Sequence, residues 1–178
     1  GMPTLKNNIG LKQQQKHWLL AGAFLFLLII GAKIDLAFWE RVSFTLQTLF
    51  LGLAYFYLPL IYRIVLISTY LLLGILGLPV FNGGVGWSYF SSYPLGFFVG
   101  FVVAAVFPIP KQSTFLSDFM YLIVLHLIIL SFGILWLVYY NTLASAVQTM
   151  NGLLIGMVIK SLVGSFVVLF LKKIRQEL

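Results

Sequence analysis

The chain has 178 residues, of which 61% are hydrophobic and 8% charged, and its mean hydropathy is +1.05. A soluble domain carries about a quarter of its residues as charges, so this composition excludes a water-solvated surface and points to an integral membrane protein of one domain. The formal charge of +7 is no nucleic-acid signal, because the basic residues gather at the ends of apolar runs, and the lack of cysteine excludes disulfides and thiol chemistry.

Six apolar runs predict an all-α integral membrane protein with six transmembrane helices. The runs are His17–Leu36, Phe44–Leu60, Ile64–Leu78, Pro94–Ile109, Phe119–Tyr140 and Met150–Leu171. A span needs about 20 residues. The second, third and fourth runs are shorter, which indicates tilted or partly re-entrant helices; the third and fourth also read as one broken hairpin. The first run has no small-residue cleavage site, so it reads as a retained helix and not as a signal peptide. With the N-terminus inside, Lys6, Lys12, Lys16, Arg63, Lys111, Lys172, Lys173 and Arg175 are all cytoplasmic, and Lys33 and Arg41 lie outside. Both termini are therefore expected in the cytoplasm. The chain divides into a cytoplasmic N-terminal segment (1–16), a six-helix membrane domain (17–171) and a basic cytoplasmic tail (172–178).

Thr45, Gln47 and Thr48 fall near the outer end of the second run. Hydroxyl and amide groups in apolar surroundings need partners, so they either bind a ligand or satisfy a helix end. The turn at Leu58–Arg63 is tight and carries Pro59, and Pro108 and Pro110 stop the fourth helix. The outer loop Leu78–Tyr93 reads LPVFNGGVGWSYFSSY, rich in glycine and aromatics and without charge. Glycines permit tight turns and close approach. Phe81, Trp87, Tyr89, Phe90 and Tyr93 should pack over something. A lid over an outward pocket fits, and so does an interfacial aromatic belt. Asn82 is a turn former first and a ligand contact second.

His126, alone in the fifth run, reads as a packing residue before a relay or metal ligand. Asn151 stands where it would cap the sixth helix. Gly152, Gly156, Lys160 and Gly164 recur every four residues, one stripe of a helix. Small residues at that spacing mean close packing, with room beside Lys160 for a ligand as the functional version. Gly96, Gly100 and Ala104 make a similar packing stripe.

Lys160 is the informative residue. At roughly 1.5 Å per residue it would lie about 15 Å deep, where a lysine costs about 2.5–3.5 kcal/mol or more on insertion. Asp35, Glu40, Asp118 and Glu177, the four acids, fall at the edge of the membrane core or outside it. An anionic or strongly hydrogen-bonding ligand is thus a candidate partner; a snorkelling or carbonyl-bonded lysine is the alternative. No phosphate-binding GxxxxGK[ST] run, HExxH run, cysteine site or acid cluster occurs, nor any paired carboxylate at catalytic depth. The reading is a non-enzyme without cofactor or metal.

Two stretches go further. Val42-Ser43-Phe44-Thr45-Leu46-Gln47-Thr48-Leu49-Phe50 and Tyr70-Leu71-Leu72-Leu73-Gly74-Ile75-Leu76-Gly77-Leu78-Pro79-Val80-Phe81-Asn82-Gly83-Gly84 resemble the BioY family, the biotin-binding S-components of energy-coupling factor (ECF) vitamin transporters. Gly31-Ala32-Lys33-Ile34, Gly133 with Trp136-Leu137, and Lys160 are similar to that family too. The resemblance implies a six-helix substrate-capture subunit of a multi-pass plasma (inner) membrane transporter. Biotin would bind near the outer face, and partners would be a transmembrane scaffold subunit and two ATPase subunits. It puts Phe44, Thr45, Gln47, Phe81, Asn82, Gly83, Gly84 and Lys160 on family-motif positions, with Trp87 and Tyr89 beside them in the loop. Lys160 would meet a polar end of biotin. The chain departs from the family pattern at Met157, where an Asp usually precedes the lysine by three residues, and at Ser92-Tyr93-Pro94-Leu95-Gly96-Phe97, where GPTGGY is usual. Other readings are a subunit for a different small vitamin or carboxylate, which Met157 favours, and a membrane assembly protein without a small ligand.

Overall fold

The structure is a computed structural model that describes residues 2–35 and 45–177, with side chains described from residue 10 onward. Its elements are α1 (Met2–Lys33), α2 (Gln47–Tyr57), α3 (Leu60–Ile75), α4 (Gly86–Phe90), α5 (Leu95–Ala105), α6 (Phe115–Tyr140) and α7 (Leu143–Glu177). Among the described residues, Gly10–Lys33, α6 and α7 are long and apolar enough to cross a membrane, while α3 and α5 are shorter apolar helices. α5, with 11 residues, spans only about 16 Å.

The surface is reversed relative to a soluble protein. Leu19 is 76% exposed and Leu135 71%, while Arg63, Asp118, His126, Lys160, Ser161 and Ser165 are buried. Such exposed large apolar side chains require a hydrocarbon solvent. α6 makes the most extensive packing, with α5 on one side and α7 on the other. The expected glycine stripes allow it: a Cβ on Gly100 would stand 2.8 Å from the Ile129 Cα, and one on Gly164 would meet Leu122 at 2.6 Å. With no Cβ in the way, the helix backbones approach closely.

Three boundaries differ from the sequence reading. α1 begins at Met2, so residues 2–16 continue the first helix; the segment is rich in helix-forming Lys, Gln and Leu, and Pro3 sits in the first turn, where proline is tolerated. α7 begins at Leu143, seven residues before the expected Met150, and runs on through the basic tail to Glu177. Its N-terminal turn is held by Thr142, whose hydroxyl accepts from the Ser145 N–H at 3.1 Å; Asn151 lies inside the helix and does not cap it. Third, α3 begins at Leu60, which places Arg63 within a helix, not in a turn. Its guanidinium donates to the carbonyls of Leu58 at 2.6 Å and of Ala105 and Phe107, both at 3.3 Å. Arg63 thereby ties the C-terminal ends of α2 and α5, where carbonyls lack intrahelical donors. α6 starts at a capping box formed by Thr114 and Ser117. Nearby, Lys172 donates to the Ser113 carbonyl at 2.6 Å and lies 3.8 Å from Asp118.

Candidate functional site

At the opposite end, the loop between α3 and α5 folds back over the helices. Gly74 makes room for the Phe81 ring, which is 1% exposed and sits 4.7 Å from the Phe98 ring. Phe90 stacks on Phe98 at 5.2 Å. Three side chains fasten the loop backbone: Lys33 donates to the Phe81 carbonyl at 2.7 Å, Tyr70 to Val80 at 2.8 Å and Trp136 to Ser92 at 2.8 Å. α1, α3 and α6 thus each hold the loop. Gly83 adopts φ +102°, a conformation that favours glycine, and with Gly84 it lies against Tyr89. The Tyr89 hydroxyl donates to the Asn82 carbonyl and lies 3.4 Å from the Tyr93 hydroxyl. Partial burial raises its pKa above the usual tyrosine value and keeps it a donor.

Beneath the loop is a cavity of about 370 Å³, within the range of small-molecule sites. Asn82, Tyr89 and Tyr93 line its loop side, and Phe97, Phe98 and Phe101 of α5 form an aromatic wall. Asn141, at the end of α6, and Ser145, Thr149 and Leu153, along the start of α7, also line it. Thr45, Gln47, Thr48, Tyr70, His126 and Lys160 supply further polar groups. From Ser145 to Lys160 is about 22 Å along the helix, so the cavity is elongated and its polar groups fall into more than one cluster.

Lys160 is buried, and its ammonium donates to the Thr45 carbonyl at 3.4 Å. Thr45 also forms an isolated antiparallel backbone bridge with Asp35, two residues beyond the end of α1. His126 bonds through Nδ1 to the Leu122 carbonyl at 2.7 Å and through Nε2 to the Thr48 hydroxyl at 3.1 Å, with the Ser161 hydroxyl 3.4 Å from Nδ1. The carbonyl is acceptor-only, so Nδ1 carries the proton. Gln47 donates to the Tyr70 hydroxyl.

Of the residues singled out from sequence, Thr45, Gln47, Asn82, Tyr89 and Lys160 line this cavity together. Phe81, Gly83 and Gly84 support the loop and do not line it. Trp87 lies on α4, 62% exposed, away from the cavity and against Phe90 at 5.7 Å. In the loop, Phe81, Tyr89 and Phe90 are turned inward and Trp87 outward. Phe44 lies outside the described residues. Sequence reasoning missed Tyr70, the α5 phenylalanines and the polar residues Asn141, Ser145 and Thr149. Ser145 and Thr149 stand four apart on α7, a helical spacing that the sequence carries, while Asn141 lies in the turn that ends α6. Met157 is buried and does not line the cavity.

An aromatic-walled cavity with several polar groups, set in a helical membrane body, is the kind of site that suits a small molecule. The fold is that of a solved S-component for biotin from an ECF-type ABC transporter, with a TM-score of 0.72 over 91% of this chain and 93% of that one at 20% identity. The chain belongs to the BioY family, whose sequence model matches residues 5–177. It is also 37% identical over 86 residues to the biotin transporter BioY of Thermotoga maritima, an alignment covering 48% of this chain and 50% of that protein. The chain thus spans about half the length of this curated relative.

Proposed function

We propose that the chain is the substrate-capture subunit of a biotin uptake transporter and binds biotin in the cavity beneath the 78–93 loop. The observation that carries this is the coincidence of family membership with a cavity whose polar lining includes the motif residues Thr45, Gln47, Asn82 and Lys160. Biotin has a bicyclic head bearing a urea, an apolar tail and a terminal carboxylate. An elongated cavity with an aromatic wall and separated polar clusters suits that order of groups. Thr45, Gln47, Thr48, Asn82, Tyr89 and Lys160 are the proposed contacts. The chain captures and does not convert its ligand; a transmembrane scaffold subunit and two ATPase subunits would supply the energy for release. In this reading six helices (α1, α2, α3, α5, α6 and α7) cross the plasma (inner) membrane, with both termini in the cytoplasm.

The test is biotin binding to the detergent-purified protein by isothermal titration. Saturable binding at or below low-micromolar concentration supports the reading. Lys160→Ala should weaken it more than about tenfold, since a charge-assisted hydrogen bond is worth about 1.5–3 kcal/mol, while the protein stays monodisperse. No binding by the folded unmodified chain overturns biotin as the ligand.

A further inference from the structure

Two hydrogen-bond chains converge on adjacent residues of α2, and their directions are fixed by the chemistry of their ends. The Val80 carbonyl can only accept, so the Tyr70 hydroxyl spends its single proton there, at 2.8 Å. Tyr70 must then accept from Gln47, which turns the Gln47 Nε2 toward it. The Leu122 carbonyl likewise takes the Nδ1 proton of His126, at 2.7 Å. The neutral ring's Nε2 is then an acceptor, and the Thr48 hydroxyl donates to it at 3.1 Å. Each chain begins at a backbone carbonyl and ends at a cavity-lining side chain, committing the single Thr48 hydroxyl proton and one of the two Gln47 amide protons. Thr48 has only its Oγ1 lone pairs left for the cavity, and Gln47 has its Oε1 lone pairs and one further N–H.

We infer that Tyr70 and His126 are positioning residues that set this part of the cavity as an acceptor pair, selecting a ligand head with N–H donors, such as a cyclic urea, over one that offers only acceptors. This rests on the proposed biotin function and deepens it by assigning an orientation. The urea N–H groups face Gln47 and Thr48. The carboxylate, an acceptor only, finds no proton on Thr48 and lies toward the hydroxyl and amide groups of Asn141, Ser145 and Thr149.

The test compares binding of biotin with that of biotin analogues methylated on either ring nitrogen, for the purified chain and for Tyr70→Phe, Thr48→Val, His126→Phe, Thr48→Ser and the Thr48→Val/His126→Phe double variant. The unmodified chain should prefer biotin over at least one analogue by more than about tenfold. Thr48→Val, His126→Phe and Tyr70→Phe should each cut a preference at least threefold, and Thr48→Ser should keep it. If His126 acts through Thr48, the double variant should lose no more than Thr48→Val alone. Preferences that persist in all three single variants mean that methylation merely clashes, and overturn the inference while leaving biotin as the ligand. A folded unmodified chain that binds no biotin overturns the function itself. A variant with a melting temperature far below the parent's is replaced by Thr48→Ala or His126→Leu, judged by the same ratio.

Discussion

At the scale of single residues, polar groups here are placed by the carbonyls they satisfy. Arg63 shows it most clearly. Buried near the end of the protein opposite the cavity, it donates to the carbonyls of Leu58, Ala105 and Phe107. Arg63→Met keeps much of the apolar stem and leaves three buried carbonyls without that donor. The expected loss is about 2–3 kcal/mol of stability, read as a lower melting temperature in detergent. Arg63→Lys should recover only part of it, because one ammonium cannot reproduce the planar fork. An unchanged melting temperature in Arg63→Met would show that these bonds contribute nothing. Arg63 was expected in a cytoplasmic turn, since positive charge beside a proline reads that way; sequence gives no view of carbonyls brought in from another helix. Lys160 is the converse. Its position in an apolar run marks it as a residue that needs a partner, and the structure sets it on the cavity wall with its ammonium at the Thr45 carbonyl.

At the scale of elements, the outer loop is legible for a reason that the connecting segments are not. A charge-free stretch with five large aromatics cannot remain in water, so packing inward or against the membrane interface follows from composition alone. Where each ring goes does not follow: Phe81 and Trp87 are both aromatic, yet one is 1% exposed and the other 62%. The start of α7 is not legible, because polar residues such as Asn141, Ser145 and Thr149 resemble a solvated loop, whereas Ser145 and Thr149 belong to α7 and all three line the cavity. The loop supplies a prediction. Trp87 offers chymotrypsin an exposed aromatic site, while Tyr89 and Tyr93 line the cavity. Biotin touching Asn82 and Tyr89 from below should hold the loop closed and slow cleavage within 78–93 severalfold in limited proteolysis. Equal cleavage with and without biotin would remove the lid role from this loop.

At the scale of the whole molecule, the distribution of charge argues for one orientation. Arg63 and the Asp118–Lys172 pair gather at one end, and Lys33 reaches Phe81 at the other, where the loop covers the cavity. α7 carries Lys172, Lys173 and Arg175 in its final turns, beyond its apolar length. A cytoplasmic surface with anionic lipid attracts such residues, and in the proposed orientation the cavity mouth would face outside. The chain has no cysteine, so single introduced cysteines report their side of the membrane without background. In intact cells, a membrane-impermeant maleimide should label Trp87→Cys and should leave Lys12→Cys and Glu177→Cys unlabelled until the membrane is permeabilised. Labelling of both terminal cysteines from outside, with Trp87→Cys protected, would reverse the orientation and close the cavity to external biotin. Opposite behaviour of the two termini would mean an odd number of spans. α5, with its 11 residues, is the helix in which a missing span is to be sought first, since about 16 Å reaches only half of a 30 Å hydrocarbon core.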